Sequence, residues 1–365
     1  MRRHEVPTPA LILDLDAFER NLARMAAHAR NRRLGLRPHA KTHKCPEIAR
    51  AQIAAGAVGI CTAKLSEAEV FASAGIRGLL VTTAVIGGAK IERALLLAAQ
   101  APDTIFVVDH QENAQDLADA ARRAGLRLNA AVELHVGRRS GIAPGAPAVA
   151  LVESMTRMKE LRFAGLQAYA GYCAHVEGFQ ERRKASIEAM TQAIETRRML
   201  EKKGIAVGLV SGGSTGTYNI DSELEGMTEL QPGSYLFMDL DYRRIGSRGT
   251  ERFTDFEFAL TVAATVVSRP EPAKAIIDAG FKAFATDKPY LPEDAGGSGV
   301  VYGFAGDEHG RLDCSQAARE IRVGDRLEFF VPHCDPTVNL YDRIYAVRGD
   351  LVDQVWQVAA RGMSQ

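Results

Sequence analysis

Up to Phe237 the chain alternates short apolar runs with helix-forming segments, and it does so eight times. The extended positions fall before Lys41, then at Gly56–Thr62, Gly78–Val85, Thr104–Asp109, Leu128–Val136, Phe163–Tyr169, Ala206–Val210 and Thr228–Phe237. Helical segments separate most of them: one opens at Pro46, another at Ser66, and others cover 89–100, 113–125, 146–159 and 181–203. Gly125 and Gly204 supply the left-handed residue that commonly ends a helix. Apolar strands that alternate with helices imply a parallel sheet covered on its outer face. Eight units predict an α/β chain with a (β/α)8 barrel over residues 12–240 rather than a doubly wound sheet. Ahead of them, Leu11–Leu15 reads as a strand, with Asp16 and Glu19 as a capping box for the helix that follows.

Beyond Tyr242 the helical period fades. Phe258–Val267, Lys274–Asp278 and Arg326–Val331 read as strands, and Ile344–Val347 with Leu351–Val358 as a hairpin turning at Arg348-Gly349-Asp350. A second, mostly β domain is therefore expected over 241–365, with residues 1–11 as a candidate addition to it. A chain of 365 residues is long enough for two such cores.

Charge excludes some partners. Forty-five Lys and Arg balance 45 Asp and Glu, so no net field draws the chain to nucleic acid or an anionic membrane. No apolar run approaches the ~20 residues of a membrane span. The N-terminus lacks a signal-peptide core. Five scattered cysteines (Cys45, Cys61, Cys173, Cys314, Cys334) without C-x-x-C spacing fit reduced thiols and a cytoplasmic enzyme better than a disulfide framework.

Chemistry concentrates where the barrel strands end, because reactive groups of such barrels sit at the C-terminal ends of the strands. Arg37-Pro38-His39-Ala40-Lys41-Thr42-His43-Lys44-Cys45 crowds two histidines and two lysines around one strand-to-helix loop. A lysine near other cations and partly desolvated loses proton affinity, and its amine becomes a nucleophile. The same rule brings Thr62, Thr82, Thr83, Asp109, Arg138, Arg139 and Tyr169 to that mouth. Two glycine-containing loops follow the last two strands, Ser211–Thr217 and Gly233-Ser234-Tyr235. They sit where barrels commonly bind phosphate, with Ser214, Thr215 and Ser234 as hydroxyl donors. A lysine nucleophile opposite a phosphate cradle is the layout that holds pyridoxal phosphate as a Schiff base.

The lysine segment closely resembles that of the D-threonine aldolase and D-serine dehydratase family, fold-type III pyridoxal phosphate enzymes related to alanine racemase. Further matches occur in order along the chain, at Thr8-Pro9-Ala10-Leu11, Gly165–Tyr169, Gly212–Gly216, Gln231–Tyr235 and Asp307-Glu308-His309-Gly310. The resemblance implies that Lys41 carries the cofactor, Arg139 faces its ring, Tyr169 lies beside the pyridine, and Gly213, Ser214, Thr215, Gly233, Ser234 and Tyr235 hold the phosphate. It also implies a homodimer. Doubled Arg138-Arg139 leaves open which arginine meets the cofactor and which meets solvent. Ala170 stands where relatives often carry a polar residue.

Val331-Pro332-His333-Cys334-Asp335-Pro336 bears on the reaction. On an extended strand His333 and Asp335 would share a face while Cys334 points away. In the family this position resembles the metal pair, and an oxygen ligand suits manganese or magnesium. Dehydratase-like members place cysteine where Asp335 stands, which favours zinc. The expected activity is therefore retro-aldol cleavage of D-β-hydroxy-α-amino acids to glycine and an aldehyde. His333 and Asp335 would hold the metal, Asp307 is a candidate third or supporting carboxylate, and His175 or a hydroxide on the metal would act as base. The alternatives are a 3-hydroxy-D-aspartate aldolase, which needs an extra cation for the second carboxylate, a D-serine or D-3-hydroxyaspartate dehydratase, and a non-catalytic pyridoxal phosphate carrier.

Overall fold

Parallel pairing runs unbroken through the first eight-stranded sheet. In chain order its strands are β2 (Gly35–Leu36), β3 (Ile60–Thr62), β4 (Leu79–Val81), β5 (Ile105–Val108), β6 (Leu128–Glu133), β7 (Leu161–Ala168), β8 (Leu209–Gly212) and β9 (Glu229–Leu230), and β1 (Ala10–Asp14) lies elsewhere. The order β2-β9-β8-β7-β6-β5-β4-β3 closes on itself through a parallel bridge between His39 and Cys61, with Cys61 N donating to Pro38 O at 2.8 Å. The computed structural model describes all 365 residues and divides them into two compact units. The barrel unit holds residues 25–41, 46–233 and 363–365; the β unit holds 1–24, 42–45 and 234–362. The division falls at 233/234, near the boundary expected at 240/241, and the β unit takes residues 1–24 and 42–45 as well.

The barrel strands are shorter than their apolar runs. Thr228–Phe237 pairs only at Glu229–Leu230, and Ser234–Leu236 forms a 3-10 turn instead. Apolarity marks burial, whereas a strand ends where ladder pairing ends. Inside the barrel Cys61, Leu80, Val107, Ala131 and Leu209 form an apolar cluster. Below the lysine segment a polar network joins the first and last strands. Arg37 donates to both oxygens of Glu229, from Nε at 2.8 Å and Nη2 at 2.7 Å, and Nη1 donates to Gly78 O. Ser211 Oγ donates to Glu229, and Gln231 donates to Ser211 and Gln167. Both charges are buried. Removing one partner of a buried pair strands the other, at a cost of about 3–5 kcal/mol. Glu229→Ala is accordingly expected to lower unfolding free energy by about that much, as urea titration would show, whereas surface Glu308→Ala, whose partner Lys282 is exposed, should leave the midpoint unchanged.

Antiparallel pairing dominates the β unit. Its further strands are β10 (Leu260–Glu271), β11 (Lys274–Ile277), β12 (Glu293–Asp294), β13 (Val301–Phe304), β14 (Gly310–Asp313), β15 (Arg326–Phe330), β16 (Arg343–Arg348) and β17 (Leu351–Gln357). The order is β11-β14-β13-β12-β15-β10-β1-β16-β17, and β10 also pairs with β11. Strands β10, β11, β14, β13, β12 and β15 thus form a closed ring, which removes exposed edges. The N-terminal strand β1 lies between β10, antiparallel, and β16, parallel. Aromatic rings fill the ring's interior: Phe284, Phe329 and Tyr302 pack edge to face, and Tyr302 Oη donates to Ala279 O. Helix α1 (Leu15–Arg32) is not capped by an Asp16–Glu19 box. Asp14 accepts from Ala17 N at 3.0 Å, while Asp16 and Glu19 both take the Arg348 guanidinium.

Candidate active site

Lys41 lies in a 3-10 turn, Ala40–Thr42, directly after the barrel's first strand, and is half-buried. His39 braces that turn. Its Nδ1 accepts from Lys41 N at 3.4 Å, which leaves the proton on Nε2 to bond Thr82 Oγ1 at 3.1 Å. Thr82 Oγ1 in turn donates to Thr62 O at 3.0 Å. Of the threonines expected at the mouth, Thr82 thus fixes the lysine loop through its hydroxyl, and Thr62 through its backbone carbonyl. Lys44, the other lysine of the segment, is buried with its ammonium on Ala360 O at 3.4 Å.

The loop after β8 is built on one carboxylate that sequence reasoning missed. Asp221 accepts from Ser186 Oγ at 2.6 Å and Thr217 Oγ1 at 2.5 Å, and Thr217 Oγ1 accepts from Ser214 N at 3.1 Å. Burial pushes the Asp221 carboxyl up to about 6, with both hydroxyls opposing the shift. Gly213 is left-handed at φ +76°, and an added Cβ would press on Asp221 and Leu230. Only glycine adopts that conformation without strain. Ser214 and Thr215 are buried within the same loop. A motif search finds the glycines but not Asp221, because nothing local links it to Ser186, 35 residues earlier.

The loop after β6 is tied at both ends. Gly141 N donates to Asp109 Oδ2 at 3.0 Å, and Ser140 Oγ donates to Glu133 at 2.7 Å. Burial raises the Glu133 carboxyl, opposed first by Ser140 and next by Arg139. Arg139 thus shares the field of Glu133. Gly137 abuts the carbonyl of Tyr169, closely enough that a Cβ would collide with it. After Tyr169 comes a 3-10 turn, Gly171–His175, whose last residue is His175; Gly171 packs against the Tyr169 ring.

These residues fit pyridoxal phosphate: a half-buried lysine at the strand ends, a glycine-permitted loop with buried hydroxyls for a phosphate, and an aromatic ring, all within the barrel unit.

His333, Cys334 and Asp335 do not form the expected strand. His333 is extended, but Cys334–Val338 is a short helix. Pro336 in its first turn favours a helix, and Thr337 Oγ1 donates back to His333 O at 2.7 Å. Buried Asp239 holds this turn, accepting from Tyr242 N and Cys334 N, each at 2.9 Å. His333 Nδ1 bonds Asp287 Oδ2 at 2.7 Å, which leaves Nε2 as the ring nitrogen that could meet an ion. Asp335 Oδ1 lies 3.4 Å from Ser234 Oγ, so Ser234, expected on the phosphate, turns its hydroxyl to Asp335. Tyr235 is buried edge to face against Phe256. Asp307 is exposed in the β13–β14 turn; Asp287 is the carboxylate brought to His333. Burial holds the Cys334 thiol well above its ordinary range. No group of three or more His, Cys, Asp or Glu side chains stands close enough to hold a metal ion. One imidazole and one carboxylate fit a hard divalent ion that keeps water in its remaining positions.

Family models match both parts of the chain: the alanine racemase N-terminal domain over residues 13–241 and a putative serine dehydratase domain over 259–347. A D-threonine aldolase of an Arthrobacter species is 39% identical over 361 residues, covering 99% of this chain and 94% of that one. A 3-hydroxy-D-aspartate aldolase of Paracoccus denitrificans is 38% identical over 366 residues, with the same coverage. The crystal structure of D-threonine aldolase from Filomicrobium marinum superposes with a TM-score of 0.95 at 40% identity, covering 100% of this chain and 98% of that one. With the barrel, its lysine turn and these matches in hand, the chain belongs to the D-threonine aldolase and D-serine dehydratase family of fold-type III pyridoxal phosphate enzymes.

Proposed function

We propose that the protein is a carbon–carbon lyase that cleaves D-configured β-hydroxy-α-amino acids, D-threonine among them, to glycine and an aldehyde, with a divalent ion of the manganese or magnesium kind held by His333 and Asp335. The observation that carries the reading is the His333–Asp335 turn, where an oxygen ligand stands in place of a dehydratase-type cysteine and Cys334 is buried. Full-length likeness to two aldolases supports it.

Pyridoxal phosphate, when bound, supplies the sink for the electron pair released as Cα–Cβ breaks. A divalent ion would lower the pKa of the β-hydroxyl. The chain's own residues do the rest. Lys41 holds the cofactor through its Nζ, on a turn kept in register by His39 and Thr82. Gly213, Ser214, Thr215 and Gly233 hold the phosphate, with the backbone of Ser234 and Tyr235. Arg139 and Tyr169 flank the cofactor ring, and His175 takes the β-hydroxyl proton. Asp287 orients His333 and Ser234 steadies Asp335. Asp307, from its exposed turn, drops out of this reading. The homodimer implied by the family resemblance is carried into it, and light scattering tests that. No helix is long and apolar enough to cross a membrane.

Two measurements follow. D-Threonine cleavage should stop on chelation and return with manganese; an unchanged rate in metal-free enzyme contradicts the metal assignment. Asp287→Asn should weaken manganese binding about 10–100-fold, because a ligand histidine loses the partner that fixes its ring and tautomer. Electron paramagnetic resonance titration reads that affinity without turnover, and unaltered binding means Asp287 does not support the site.

A further inference from the structure

Arg138 is the cation of the β6 loop that the mechanism leaves unused. It sits in the left-handed region at φ +59°, where a residue with a Cβ is uncommon. Its neighbours leave the loop little freedom, since Gly137 presses on the Tyr169 carbonyl and Gly141 is fastened to Asp109. The guanidinium lies over the Tyr172 ring, 4.0 Å from its centroid. Stacking occupies the planar face and leaves the edge N–H groups for an anion. The barrel's other candidate cations are engaged. Arg37 is paired with Glu229, Arg182 is buried against the Gly216 and Val176 carbonyls, and Arg139 is the arginine assigned above to the cofactor ring. Arg138 is exposed and forms no ion pair. Tyr172 follows Tyr169 by three residues, and Gly171 between them packs on the Tyr169 ring, so the ring that Arg138 covers belongs to the turn that begins beside Tyr169.

We propose that Arg138, stacked on Tyr172, receives the distal carboxylate of a dicarboxylic β-hydroxy-D-amino acid, the 3-hydroxy-D-aspartate class, and so sets a preference for it over D-threonine. The inference rests on the retro-aldol reading above. The reaction balances: the Cα–Cβ bond breaks, the β-carbon leaves as glyoxylate with its hydroxyl oxygen as the aldehyde oxygen, and Cα gains a proton to become glycine. A guanidinium edge matches a carboxylate with two parallel N–H donations, which a methyl group cannot receive.

The test compares kcat/KM for D-3-hydroxyaspartate and D-threonine in wild-type holoenzyme, Arg138→Gln and Arg138→Lys. Arg138→Gln is expected to lower the hydroxyaspartate-to-threonine ratio ~10–100-fold, the span of a charged hydrogen-bonded contact, and Arg138→Lys to recover part of it. Calorimetry with D-aspartate and D-alanine, which lack the β-hydroxyl that retro-aldol cleavage needs, gives a reading without turnover. Wild type should prefer D-aspartate, and Arg138→Gln should lose the preference. Equal losses on both substrates would place Arg138 on the α-carboxylate or in the loop's folding, and overturn the proposal. So would a wild type that cleaves D-threonine but ignores D-3-hydroxyaspartate. A wild type that cleaves neither overturns the retro-aldol reading itself, and the inference with it.

Discussion

Lys41→Ala is expected to abolish cleavage, with a fall of at least ~10³-fold in kcat, because no other amine can take its place in holding the cofactor. Lys44 is buried on a backbone carbonyl, and its side chain is no substitute. The same variant should lose the visible absorbance of covalently held pyridoxal phosphate. Borohydride should fix the cofactor to Lys41 in wild type and to nothing in the variant, as peptide mapping would read. The variant should stay folded, since the ion pair that closes the barrel, Arg37–Glu229, is untouched. An adduct on Lys44 or Lys64 would contradict the assignment.

Asp335→Ala is the second large effect. Losing the carboxylate should weaken manganese binding and lower D-threonine turnover about 10²–10³-fold, the scale of removing a group that stabilises charge developing in the transition state. Lys41 and the Gly213–Thr215 loop remain, so the cofactor spectrum should persist. Chelated wild type should behave like the variant, and manganese should rescue the wild type alone. A variant that loses its cofactor spectrum together with its activity would mean that Asp335 supports the fold instead.

The barrel was legible in the sequence because its evidence is periodic and repeated. Eight apolar runs with helices between them, and glycines such as Gly125 at φ +65° ending a helix, report local physics that each segment carries by itself. Short pairing was less legible. Strand β12 is two residues long, and β13 and β14 flank a turn that reads as loop, so the ring in the β unit emerges only from pairing across the sheet. The apolar run at β1 announced a strand but not its neighbours, β10 and β16, which lie some 250 and 330 residues away.

The site divides along the same line. Lys41, Tyr169, Gly213, His333 and Asp335 stand in recognisable motifs. Their supports do not: Asp287 reaches His333 across 46 residues, Asp239 reaches Cys334 across 95, and Asp221 holds a loop through two hydroxyls. An isolated Asp in a loop has no periodic or motif signature, so only folding reveals such a partner. The strand expected at His333–Asp335 gives way to a short helix whose first N–H is taken by Asp239, a partner 95 residues earlier that no local pattern announces.

The most direct measurement is a product balance. Holoenzyme with manganese and D-threonine, followed by nuclear magnetic resonance, should release glycine and acetaldehyde in equal amounts, at a rate that falls to background with chelator. Ammonia and 2-oxobutanoate in place of that pair would show that the β-hydroxyl leaves as water, and would contradict cleavage between Cα and Cβ.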